Sequence, residues 1–242
     1  MNHQPATIRP APEPRCLDRH TEPDNWEPLP RWLGHLLQKR SFMPVEIEAK
    51  MKVADLSPVR AKLQEFHAEL IGDFFEVNTF FDTDDRSLLA ADEGLRLRVA
   101  RDVSSTARPD DVTLTYKGPR RHGALKSRDE TELKVSSPQE AAAFLSCLGF
   151  TRIMSFEKRR QSWKIGTCRV ELDEIPHLGV FIEVEGTSDQ DVMQCREALG
   201  LSSRPIVRAS YVALLMTYLQ EHGQTDRTVK FPATPTPVAK AG

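Results

Sequence analysis

No stretch of this 242-residue sequence is long and apolar enough to span a membrane, and its first residues lack the apolar core of a secretion signal. A cytoplasmic setting is the resulting expectation. Cysteine is scarce: Cys16, Cys147, Cys168 and Cys195 show no paired spacing, which argues against both a disulfide framework and a zinc cluster. The seven histidines do not gather at metal-ligand spacing, so they read as surface or packing residues. No charge sign dominates. Lys and Arg total 33 against 35 Asp and Glu, and the net charge of −2 gives no general attraction to nucleic acid or membrane.

What the chain does have is alternation. Residues 45–53 read Val-Glu-Ile-Glu-Ala-Lys-Met-Lys-Val. As a strand, they put Glu46, Glu48, Lys50 and Lys52 on one face and aliphatic residues on the other. Taken alone, such a face is usually the solvated side of an antiparallel sheet. The pattern recurs, however. Arg96 and Arg98 alternate with Leu95, Leu97 and Val99, and Thr113, Thr115 and Lys117 alternate with Val112, Leu114 and Tyr116. Arg128, Glu130, Glu132 and Lys134 oppose Thr131, Leu133 and Val135, while Lys158, Arg160 and Ser162 share a phase. Glu171 and Asp173, then Glu183 and Glu185, complete the series. Mixed charge on one face of so many segments suggests a closed sheet whose polar side is the lumen and whose apolar side is covered by helices.

Strands are expected near 45–53, 74–82, 95–101, 111–117, 127–136, 153–165, 168–174 and 180–186. Links of hairpin length make the sheet mainly antiparallel. Ser57-Pro58 signals a helix N-cap and first turn, with the helix running to about Leu70, and Ser137-Pro138 repeats the signal before a helix ended by Gly149. Further helical patterns cover 189–199 and 209–220. The fold class expected is α+β, and the chain divides into three parts. Residues 1–43 carry seven prolines between Pro5 and Pro30 and read as a largely disordered arm, with a short helix over 31–39 built on Trp32, Leu33, Leu36 and Leu37. Residues 44–221 form the body, and 222–242 read as a flexible tail.

In order, these segments resemble the CYTH family, or triphosphate tunnel metalloenzymes, which include class IV adenylyl cyclases, thiamine triphosphatases and inorganic triphosphatases. The hallmark Glu-x-Glu-x-Lys is Glu46-Ile47-Glu48-Ala49-Lys50. Asn78 to Thr83, Leu95 to Arg98, Leu114 to Pro119, Arg128 to Glu132, Glu157 to Arg160, Leu172 to Glu174, Gly179 to Glu185 and Ser210-Tyr211 follow. The likeness spans about residues 44 to 220 and includes neither terminal arm.

The resemblance implies an eight-stranded antiparallel barrel holding a triphosphate, such as ATP, in its lumen. By position, Glu46 and Glu48 would bind Mg²⁺ or Mn²⁺, helped by Asp173, Glu183 and Glu185, with Glu130 and Glu132 as further ligands. Lys50, Lys52, Arg96, Arg98, Lys117, Arg128, Lys158 and Arg160 would hold phosphate, with Lys50 and Arg160 as the catalytic cations. It implies no nucleic-acid or membrane partner and leaves a homodimer open. Phosphoryl and nucleotidyl transfer need positioning and charge more than covalent help, which this inventory can supply. The spelling of the motifs is most similar to class IV adenylyl cyclases, with a triphosphatase as the alternative. A non-catalytic triphosphate sensor is the rival from another class, and the acidic set weighs against it.

Overall fold

A computed structural model describes residues 45–232 apart from 106, 122 and 124. The arm expected over 1–43, with its helix at 31–39, lies outside the described residues.

The strands are β1 (Val45–Val53), β2 (Glu69–Asp82), β3 (Gly94–Asp102), β4 (Asp111–Lys117), β5 (Lys126–Lys134), β6 (Thr151–Ile165), β7 (Cys168–Ile175) and β8 (Gly179–Gly186). They pair in the order β2-β3-β4-β5-β1-β8-β7-β6, and β6 pairs with β2 to close an eight-stranded antiparallel barrel. Closure removes the exposed edges that would otherwise invite aggregation. Residues opposite one another across a ladder share a face. Glu46 faces Arg128, Lys117 faces Glu130, Arg96 faces Thr115, and Arg98 lies between Thr113 and Asn78. The circuit continues through Glu76 and Lys158, Arg160 and Asp173, Glu171 and Glu183, then Lys50 and Glu183, and Glu48 and Glu185. The alternating charges therefore line one continuous inner wall.

Five helices accompany the barrel among the described residues: α1 (Ser57–Glu65), α2 (Ser87–Ala90), α3 (Pro138–Cys147), α4 (Asp189–Ala198) and α5 (Tyr211–Glu221). Val59 and Leu63 of α1 and Val192 of α4 pack with Ala49, Met51, Val170, Ile182 and Val184 on the outer face of β1, β7 and β8. Each fully buried aliphatic side chain there stabilises the fold by roughly 1.5–3 kcal/mol. Leu145 of α3 packs with Leu95, Leu97 and Val112. Gly186 permits the close approach of α4, since a Cβ there would stand 2.9 Å from Val192 Cγ2.

Helix α5 does something different. Phe80, Met154, Phe156, Ile175 and Phe181 occupy the inward phase of their strands, yet they pack with Tyr211, Leu215 and Leu219 of α5. The lumen wall thus turns apolar towards one end, and α5 fills that end. Ser210 caps the helix by accepting the Ala213 N–H at 3.2 Å.

Four expectations need correction. Helix α1 stops at Glu65 rather than near Leu70, and β2 starts at Glu69 rather than at 74. Pairing of Glu69 and Leu70 with Lys164 and Trp163 extends the strand, and a register shift between Leu70 and Gly72 hides its alternation. The carboxylate that meets the α1 N-terminus belongs to Asp55, which accepts the Ser57 N–H at 2.9 Å, so Ser57 is not the cap. Finally, residues 222–232 are part of the body rather than a flexible tail. A ninth strand, β9 (Thr228–Val229), pairs parallel with Ser155 and Phe156, and Val229 is buried. The Phe231 N–H donates to Glu157 at 2.8 Å and its ring lies 4.1 Å from the Arg159 guanidinium. The tail expected over 233–242 lies outside the described residues.

Candidate active site

Beneath α5 the lumen holds a dense ion-pair network. Asp173 is 0% exposed. It accepts two hydrogen bonds from Arg160 at 2.6 Å each and one from the Tyr211 hydroxyl at 3.0 Å. Arg160 also donates to Glu183 at 2.5 Å. The Lys50 ammonium lies 3.1 Å from Glu183 and 3.6 Å from Glu48, donates to the Ala209 carbonyl at 3.3 Å, and sits 4.2 Å from the Tyr211 ring centre. Lys158 pairs with Glu76 at 2.9 Å, and Asn78 donates to the same carboxylate. Glu171 accepts from Ser162 and lies 3.6 Å from Arg160.

Burial alone would neutralise these groups, but the pairing overrides it for most of them. Burial opposes ionisation of Glu183, yet Lys50 and then Arg160 hold it well below the usual carboxylate range. Glu76 is likewise lowered against its burial by Lys158 and Arg160. Arg160 is raised well above its ordinary value because Asp173 and Glu171 outweigh desolvation. Glu171 goes the other way, raised chiefly by burial.

The outer part of the lumen is organised differently. Carboxylate oxygens of Glu46, Glu48 and Glu185 all lie within 4.8 Å of one another. Burial first, then Glu46 and Glu171, push the Glu185 carboxyl well above its ordinary range. Glu46 is lowered, because Lys117 and a hydrogen bond with Glu130 outweigh its burial. Glu130 is pushed up to about 7 by burial and by that shared hydrogen bond. Lys117 contacts both Glu130 and Glu46, and Lys126 lies 2.6 Å from Glu48. The donor set is all oxygen, which suits a hard divalent cation such as Mg²⁺ or Mn²⁺ rather than zinc.

Across the lumen, three guanidinium groups keep an unused donor. The Nε atoms of Arg96, Arg98 and Arg128 and the Thr113 hydroxyl are buried with no hydrogen-bond partner. Arg96 reaches Thr115 at 3.2 Å with Nη2, and Glu132 lies 3.7 and 3.9 Å from Arg96 and Arg98. Arg128 lies 3.7 Å from Asp92. Burial and then the neighbouring Arg98 lower the Arg96 guanidinium pKa, a sign of crowded positive charge. Each unmade buried hydrogen bond costs about 1–3 kcal/mol, which an anionic ligand would relieve.

The sequence-predicted site residues therefore separate. Glu46, Glu48 and Glu185 meet, while Asp173 and Glu183, expected beside them, are engaged by Arg160 and Lys50. Glu132 stands at the rim with its side chain 48% exposed. Lys52 shares the inward phase but is exposed, lying 5.8 Å from the Phe181 ring and away from the cluster. Apolar residues and α5 occupy the lumen end that its strand reaches. Glu76, Asn78, Glu171, Lys126 and Tyr211 join the lumen without having been assigned to the site. For Glu76 the alternation was obscured by flanking phenylalanines, and Lys126 fell one residue before the expected start of its strand.

The CYTH domain family model matches residues 44–211, most of the chain and all of this lumen. The chain belongs to the CYTH family. A provisionally named adenylate cyclase of Methanocaldococcus jannaschii is 28% identical over 179 residues, covering 70% of this chain and 98% of that protein. Among solved structures, a Pyrococcus horikoshii protein has a TM-score of 0.62 at 26% identity, with 72% of this chain and 99% of that one aligned. A Hippeastrum protein, provisionally an adenylyl cyclase and described with a dominant triphosphatase activity, shares the fold at a TM-score of 0.54 and 18% identity, with 76% and 98% coverage. No helix among the described residues of this CYTH protein is long and apolar enough to cross a membrane.

Proposed function

We propose that this CYTH protein is a divalent-metal-dependent enzyme acting on a triphosphate, with ATP as substrate and cyclic AMP and pyrophosphate as products. The observation that carries the reading is the pairing, across one lumen, of unpartnered buried Arg96, Arg98 and Arg128 donors with the Glu46, Glu48 and Glu185 carboxylates. The relative named as an adenylate cyclase supports the choice of reaction.

In this reading Arg96, Arg98 and Arg128 donate to phosphate oxygens, and Lys117 adds a compact positive charge. Glu46, Glu48 and Glu185 would hold the divalent cation, which supplies Lewis-acid charge to the phosphates. Glu130 and Glu132 flank that group. Lys50, Lys158 and Arg160 are held in place at the deep end by Glu183, Glu76 and Asp173, with Lys50 and Arg160 as the catalytic cations. Helix α5 and the apolar residues under it exclude water from that end. The ribose 3′-hydroxyl oxygen then bonds to the α-phosphorus as the bond to the bridging oxygen breaks, so that the cyclic diester closes, pyrophosphate leaves and the hydroxyl proton passes to solvent.

The second reading is hydrolysis of a triphosphate, inorganic or organic. It is favoured by one observation: Phe80, Phe156 and Phe181 are committed to packing against Tyr211, Leu215 and Leu219 of α5, leaving a lumen suited to phosphate and cation. Incubation with ATP, tripolyphosphate and thiamine triphosphate under Mg²⁺ or Mn²⁺ separates the two. Cyclic AMP with pyrophosphate supports cyclisation, and orthophosphate from any substrate supports hydrolysis. Tight tripolyphosphate binding with neither product would reduce the protein to a sensor.

A further inference from the structure

The carboxylates of the outer lumen are engaged by ammonium groups. Lys126 Nζ lies 2.6 Å from Glu48 Oε1, and Lys117 contacts Glu46 at 3.4 Å as well as Glu130. Both lysines stand on the β4–β5 side of the barrel, as does Arg128, whose Nε lacks a partner. The Lys126 side chain is 12% exposed, so its pairing is not a solvated surface contact.

This arrangement penalises either ligand arriving alone. A divalent cation by itself meets carboxylates whose charge is already matched, and it must crowd against Lys126 and Lys117. A triphosphate by itself gains the guanidinium donors but confronts Glu46, Glu48 and Glu185. With both present, Glu46, Glu48 and Glu185 would hold the cation and the Lys126 and Lys117 ammonium groups would turn to phosphate oxygens. Two unfavourable separate events become one favourable exchange of partners.

We infer that Lys126 is an ion-exchange residue, pairing with Glu48 until a divalent cation displaces it and then binding a phosphate oxygen, so that cation and triphosphate bind with positive coupling. The inference rests on the proposed reading of the lumen as a metal and triphosphate site. Coupling of this kind is reciprocal, with each ligand raising the affinity for the other by the same factor, on the order of tenfold or more.

Opposite-sign effects of one substitution provide the test. Binding of Mn²⁺ alone to the full chain is followed by the electron paramagnetic resonance signal of free Mn²⁺, and tripolyphosphate binding by calorimetry with divalent cations chelated. Lys126→Met is expected to bind Mn²⁺ about tenfold more tightly and metal-free tripolyphosphate about tenfold more weakly than the unaltered chain. Lys126→Arg, which keeps the charge, should restore both affinities. If Lys126→Met does not fold, Lys117→Met is expected to show the same signature through Glu46. Shifts of both affinities in one direction, or no shift in either, overturn the exchange role while leaving the lumen reading intact. An unaltered chain that binds neither Mn²⁺ nor tripolyphosphate overturns both.

Discussion

The deep and outer halves of the lumen use the same residue types to opposite ends. Under α5, Lys50, Lys158 and Arg160 are matched by Glu76, Glu171, Asp173 and Glu183, and Tyr211 satisfies a remaining acceptor of Asp173. Farther out, three arginines retain unused buried donors and three carboxylates crowd within 4.8 Å. A satisfied network is rigid and keeps its charges in fixed positions. An unsatisfied one is held in place by the rest of the fold and gains free energy when a ligand completes it. The deep half therefore holds the proposed catalytic cations Lys50 and Arg160 in fixed positions, and the outer half offers the donors and carboxylates that a ligand would complete.

That division makes predictions of decreasing size. The largest concerns the deep half. Asp173→Ala removes the two-point partner of buried Arg160, leaving it Glu183 and Glu171, and takes the acceptor from the Tyr211 hydroxyl; it should cost about 3–5 kcal/mol of stability, read from urea denaturation. A loss similar to that of an outer-half substitution would erase the distinction. Next, Glu48→Gln in the outer half should leave the fold intact while lowering metal-dependent turnover by at least the roughly 100-fold that outer-shell partners already cost. Turnover unchanged at limiting Mg²⁺ or Mn²⁺ would remove Glu48 from the cation site.

A smaller effect is expected from Arg96→Ala, which should weaken tripolyphosphate binding by roughly 10- to 100-fold, as for one lost charged hydrogen bond. Diphosphate binding should suffer less, and calorimetry showing equal losses would reject the clamp. The smallest effect is a pH slope. Glu130 titrates near 7 in the folded protein, above its ordinary value of 4.5. A carboxyl raised in this way stabilises the fold fully below the unfolded value and loses that contribution as pH rises through 7. Glu130→Gln should flatten this slope in denaturation curves between pH 4.5 and 8. A slope unaffected by the substitution would place its origin elsewhere.

Much of the barrel was legible because a strand with one buried charged face must alternate, and β1, β3, β4 and β8 do so without interruption. β2 was read short because Gly72 breaks the period and because Phe74, Phe80 and Phe81 add apolar residues to both faces. β9 left no signal, since two residues carry no period and their place depends on the exposed flank of β6. At the site, the meeting of Glu46 with Glu48 follows from their spacing on one strand. That Glu185 rather than Glu183 completes the trio depends on the stagger between β1 and β8. Lys126 was missed because its role exists only opposite Glu48.

The amino-acid order by itself determined which side chains face inward, because the two-residue period of a strand assigns faces without knowing any neighbour. It also determined that acids and bases would share that interior in nearly equal number. Only the tertiary structure decided how they pair. Inserting β1 between β5 and β8, closing β6 on β2 and seating α5 at one end set which charges come within a few ångströms, and electrostatic strength depends on that distance and on burial rather than on position along the chain.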